Sequence, residues 1–164
     1  MKSPVCLVSK SRISHVLILS LLLLGIAGAA WAGDKEDVAA AMDMWRDNLA
    51  ASNAEKPDKV VSLYAQDAVL WGTISPTLRA TPAEIKDYFV NALQKLPKLT
   101  VAFKDPHIRV YGNTAINSGY YTFSYLKDGN PTTLPARYSF VYVKRDGKWL
   151  IVDHHSSAMP APAK

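Results

Sequence analysis

Asp153-His154-His155-Ser156-Ser157, close to the C-terminus, gathers the residue types of a hydrolase triad and of a metal site. On a strand, however, consecutive side chains point to opposite faces. Asp153 and His155 then share one face, and His154 and Ser156 the other. Adjacent histidines so placed cannot ligate one metal, and a zinc site wants about three or four ligands. Beyond residue 32 the chain offers only His107 besides this pair, and no cysteine. A serine nucleophile needs a rigid exposed turn with oxyanion donors nearby, and the chain has no G-x-S-x-G. No metal or cofactor is expected. What remains is one histidine hydrogen-bonded in a cavity and its neighbour on the outer face, with alternation silent on which goes where. His154 and His155 are the candidate acid–base groups, because a histidine titrates in the useful range.

A second cluster is aromatic. Tyr120, Tyr121, Tyr125, Tyr138 and Tyr142 fall on two consecutive strand patterns, "TAINSGYYTFSYLK" and "LPARYSFVYVKR". By alternation Asn117, Gly119, Tyr121, Phe123 and Tyr125 share a face. On the next strand Tyr138, Phe140 and Tyr142 share one, with Arg137, Ser139 and Val141 opposite. Cross-strand aromatic pairs stabilise sheets, so most of these positions read as packing. Asn117 and Arg137 differ, because a polar residue in an apolar sheet either faces solvent or is kept for a partner. Arg137 is the candidate clamp for an anion or carboxylate. Trp71 and Trp149 read first as core residues.

The elements that must position these groups follow from periodicity. Val38, Met42, Trp45 and Leu49 recur at helical spacing within Asp34–Ala51. Pro57–Ala65 reads as a shorter helix with Pro57 and Asp58 in its first turn. "TPAE" opens a third, with Thr81 as N-cap, Pro82 at the first helical position and Glu84 closing a capping box; Pro97 ends it. Ala68–Thr73 reads as a short strand. After Pro97 the chain turns strand-like, with Pro106 implying two strands or one sharply bent strand. Gly112-Asn113, Asp128–Pro131 and Asp146-Gly147 are the turns, the last a two-residue hairpin loop. Helices first and antiparallel strands after make an α+β domain with helices on one face of a curved sheet.

The N-terminal stretch stands apart. Met1–His15 carries Lys2, Lys10 and Arg12 and no acid, Val16–Ile26 is almost wholly apolar, and Ala30-Trp31-Ala32 fits an A-x-A cleavage site. This is the layout of a secretory signal peptide; a retained membrane anchor is the rival, since Ile13–Gly33 is uncharged and a span takes about 20 residues. Cleavage after Ala32 leaves one domain, 33–158, with a short tail at 159–164. Lys plus Arg then falls from 19 to 16 against 14 acids, and net charge from +5 to +2. The high isoelectric point is thus largely a property of the leader, and nucleic-acid binding loses its support. The only cysteine, Cys6, also lies there, which excludes disulfides, thiol catalysis and Cys-ligated metals from the domain.

"DPHIRVYGNTAINSGYYTF", then "VKRDGKWLIVDHHSS", resembles the association (hub) domain of calcium/calmodulin-dependent protein kinase II. That family's pattern runs N-P-H-I, a glycine and an A-x-I strand, then R-D-G-K-W-x-I-V-x-x-H. "DYFVNAL" echoes the hub's third helix through Tyr88, Phe89 and Asn91. The chain is also similar to exported bacterial SgcJ/EcaC-type relatives, with their "ARYxFVY" and "HHSSAMP"-like endings. Both lie in the nuclear transport factor 2-like superfamily, which implies a cone-shaped α+β fold with a cavity between three helices and a curved, mainly antiparallel sheet. The hub's pocket for small carboxylates uses a histidine and several arginines. The matching positions here are Ile85, Tyr121, Phe140 and Ser156, so those basic residues are not kept. Ketosteroid isomerase, a catalytic relative, places its base where this chain reads Leu70-Trp71-Gly72-Thr73, and Asp67 comes a few residues early.

The expectation is an exported, periplasmic or secreted, non-catalytic domain that associates with itself as a homodimer or larger ring. It binds a small organic molecule, possibly a carboxylate, through Trp71, Tyr121, Arg137, Tyr138, Phe140, His155 and Ser156. Neither nucleic acid nor, after cleavage, a membrane is an expected partner. The alternative is a cavity enzyme of the SgcJ/EcaC or SnoaL-like kind using Arg137 with His154 or His155.

Overall fold

The computed structural model describes residues 33–161. The expected leader, and residues 162–164 of the expected tail, lie outside the described residues. Helix α1 covers residues 33–50 and buries the predicted stripe of Val38, Met42, Trp45 and Leu49. Helix α2, Asp58–Val61, is shorter than its sequence predicts. Tertiary pairing overrides helical propensity here: Ile151 N–H donates to Leu63 O at 2.9 Å, and Tyr64 already stands beside Ile151 in the sheet. Strand β1 therefore starts early, at Tyr64, and runs to Trp71.

Helix α3, Pro82–Lys95, has the predicted start. The Thr81 hydroxyl accepts from Glu84 N–H at 3.3 Å, and Glu84 Oε2 accepts from Ala80 N–H at 2.9 Å. Four long strands follow: β2 Thr100–Tyr111, β3 Thr114–Lys127, β4 Asn130–Arg145 and β5 Lys148–Ala158. They form an antiparallel meander, and β1 joins its edge parallel to β5, giving the order β1-β5-β4-β3-β2. Asp128-Gly129 and Asp146-Gly147 have positive φ at both positions (52° and 80°, 50° and 75°), as a type I′ hairpin requires.

Pro106 does not split β2. Instead the ladder slips between Lys104 and His107, with Asp105 at φ 51°, a bulge that absorbs the residue unable to donate. The bulge presses on β3 at Gly119, where a Cβ would lie 2.9 Å from the Asp105 carbonyl oxygen. A second irregularity lies in β5: Val141 pairs with Asp153 but the next residue, Tyr142, pairs with Ile151, leaving Val152 over.

The helices cover one face of the sheet. Trp45 of α1 packs edge-on against Phe103, Phe140 and His154, and Phe89 of α3 meets Tyr64. Trp149 is buried, as expected, whereas Trp71 is 44 % exposed.

Candidate functional site

Between α1, α3 and the inner face of the sheet lies a narrow cavity of about 20 Å³, room for roughly one water. Trp45 and Phe89 wall it from the helices, Tyr121 from β3, His154 and Ser156 from β5, and Thr73 and Ile74 from the loop after β1. Tyr88, half-buried, stands at its rim, its ring lying against Gly72, where a Cβ would come within 2.2 Å of it.

The Val152 bulge decides which histidine enters. Trp149 and Ile151 are buried, so unbroken alternation from them would carry His155 inward. With one residue left over, His154 and Ser156 are buried instead, and His155 is exposed. The His154 ring stacks on Phe140 at 4.0 Å. Its Nδ1 lies 2.7 Å from the Tyr64 hydroxyl, which also accepts from Trp45 Nε1–H at 3.1 Å. Tyr64 is fully enclosed, so its own proton needs an acceptor, and Nδ1 is the one within reach. That arrangement puts the imidazole proton on Nε2, which is buried without a partner among the described residues. Burial, aided by the nearby charge of His155, drives the His154 pKa down to about 3.

Hydroxyls occupy the other side. Tyr121 O–H donates to Ser156 Oγ, which also meets Thr73 Oγ1. Burial raises the Tyr121 phenol well above its ordinary value, and that of Tyr88 to about 12, so both stay protonated donors. Deeper in the sheet, Asn117 is buried: its amide donates to Met42 Sδ at 3.0 Å and it accepts from the Tyr138 hydroxyl at 3.2 Å.

The predicted ligand residues therefore divide. Tyr121 and Ser156 line the cavity with His154; Phe140 lies beneath the histidine, and the Tyr138 hydroxyl turns to Asn117 and Met42. Arg137 and His155 sit on the opposite face, and the Arg137 Nε–H donates to Ser157 Oγ at 3.0 Å. There they border an open groove of about 560 Å³ with His107, Asp105 and Tyr120. Trp71, paired in register with His155, is on that side too. Asp67 lies on the surface, held by both guanidinium nitrogens of Arg145 at 2.7 and 2.8 Å, which keep its carboxyl below its ordinary range. Sequence reasoning missed Tyr64, which fixes the histidine tautomer. Its contact with His154 spans 90 positions and leaves no local signal.

Residues 34–160 match the calcium/calmodulin dependent protein kinase II association domain. The calcium/calmodulin-dependent protein kinase type II subunit delta of Oryctolagus cuniculus is 34% identical over 76 residues, 44% of this chain. That stretch is 14% of the kinase subunit's own length. A solved Xanthomonas campestris protein, described as an association domain of the same kind, is 44% identical with a TM-score of 0.68, covering 75% of this chain and 86% of that one. A nuclear transport factor 2-like protein from Streptomyces avermitilis shares the fold at 16% identity, with a TM-score of 0.70 over 79% of this chain and 99% of that one. One from Salmonella enterica does so at 18%, with a TM-score of 0.67 over 80% and 95%. The chain belongs to the calcium/calmodulin-dependent protein kinase II association domain family, built on the nuclear transport factor 2-like fold.

Proposed function

We propose that the protein is an exported, self-associating domain that holds a small organic molecule in its inner cavity and carries out no chemistry on it. The observation that carries the proposal is the two-sided sheet: one face lines a neutral aromatic cavity, and no helix among the described residues covers the other. Among the described residues, no carboxylate, lysine or arginine borders the cavity. Proton abstraction needs a base whose pKa lies near the working pH, and His154, held near 3, is too weak for that. The enzyme alternative needs Arg137 and a histidine together, which His155 and His107 satisfy only in the outer groove, open to solvent, and not in the inner cavity.

The outer face supports self-association. Val69, Asp153, Val141 and Ile116 form one cross-strand row there, flanked by exposed Trp71, Tyr111 and Tyr120. Exposed apolar area of this kind marks an interaction surface, and the family's association domains give a second copy as the occupant. Export rests on the leader-like Met1–Ala32.

Light scattering on the purified protein should return a dimer or a larger ring; a monomer at every concentration would refute association. Native mass spectrometry should find a bound small molecule that leaves on denaturation.

A further inference from the structure

The inner cavity carries more than the fact of binding. We infer that it is built for a small neutral molecule bearing a hydrogen-bond acceptor, such as a carbonyl or ether oxygen, and that it discriminates against carboxylates. The inference rests on the cavity reading above and adds the chemical class of the ligand.

The first support is His154 Nε2. The ring is 3 % exposed and lines the cavity, and this nitrogen has no hydrogen-bond partner among the described residues. Its tautomer follows from the groups behind it: Trp45 Nε1–H donates to Tyr64 Oη, and Tyr64 O–H donates to Nδ1. Nε2 is then a donor, and a buried donor left unmade costs about 1–3 kcal/mol. A ligand oxygen placed there recovers that cost.

The second support is charge. A buried carboxylate needs a cation or several donors to offset its lost hydration. Among the described residues, no arginine or lysine lines the cavity. The neutral imidazole resists protonation because it is enclosed by Phe140, Trp45 and Tyr64. The hydroxyls opposite form one chain, Tyr121 to Ser156 to Thr73. Neutral donors among aromatic walls suit a polarised but uncharged oxygen.

The third support is access. The cavity holds about one water, so a larger guest needs the rim to yield. Tyr88 and Ile74 are partly exposed there, and the Tyr88 ring lies against Gly72.

The test pairs acetophenone with benzoate, the same ring with a neutral carbonyl or a carboxylate, added to the full-length protein. Nitrogen NMR of the histidines reads Nε2 of His154 directly. Acetophenone should shift that resonance saturably and benzoate should not. His154→Phe should weaken acetophenone binding about tenfold, while His154→Gln, which keeps a donor, and His155→Phe should bind nearly as the parent does. Benzoate binding in the cavity as tightly as acetophenone would overturn the ligand class but leave the binding reading standing. Acetophenone binding elsewhere, with Nε2 unmoved, would also overturn it. If neither probe perturbs any lining residue, the cavity holds water only, and the binding reading falls as well. Should His154→Phe fail to fold, the resonance shift and the acetophenone–benzoate contrast in the parent protein still decide.

Discussion

His154 stays a neutral imidazole in the folded protein and takes up a second proton below about pH 6.5 only when unfolded. Its pKa falls from about 6.5 to about 3 on burial, so between those values the unfolded chain takes up more protons. Stability contributed by the neutral ring is complete above about pH 6.5 and is lost as pH falls toward 3. At pH 5 the loss is about 2 kcal/mol relative to pH 7.5. Urea unfolding at the two pH values should show this difference in the parent and lose it in His154→Gln. Gly72 offers a second residue-scale test. A Cβ there would stand 2.2 Å from the Tyr88 ring, so Gly72→Ala should displace that ring and open the cavity rim. The cost should be about 1–3 kcal/mol, read as a lower unfolding midpoint together with a changed Tyr88 environment in NMR. The chemical types in the cavity were legible beforehand, since Tyr121, His154 and Ser156 were all named as candidates. Tyr64, Trp45, Thr73 and Tyr88 were not. Their roles come from contacts between elements far apart in sequence, which no local spacing encodes.

At the scale of elements, the fold follows local signals wherever the local physics is strong. The capping box at Thr81 and Glu84, the stripe of α1 and the Asp-Gly hairpin all form as periodicity and turn chemistry predict. Thr81→Ala should cost about 1 kcal/mol in thermal or urea unfolding, because α3 loses the acceptor for its Glu84 N–H. Elements failed to match where strand pairing competes with propensity. Helix α2 stops at Val61 because β5 recruits the chain from Tyr64 onward. Of the two readings of Pro106, the single irregular strand is the one that forms, because a bulge at Asp105 lets β2 pair on both sides of it.

For the whole molecule, the sheet separates two surfaces that share strands but not side chains. A charge placed on the outer row should therefore break association without reaching the cavity. Val141→Glu is the variant of choice, since Val141 pairs with Ile116 and Asp153 on that face. Light scattering should show smaller particles at equal concentration, while the His154 Nε2 resonance stays unchanged. A shift of both together would mean that cavity and association surface are coupled.

From the amino-acid order alone it follows that the chain is α+β and that His154 and His155 point to opposite sides of the last strand. Alternation along a strand is a local rule and needs no partner. Which histidine lies inside is not local. It depends on how β5 registers against β4, where Val152 is left over between Ile151 and Asp153. That extra residue reverses the phase of everything after it. It brings His154 to the cavity and leaves His155 beside Arg137 on the outer groove, and only the pairing of two strands in the folded protein could decide it.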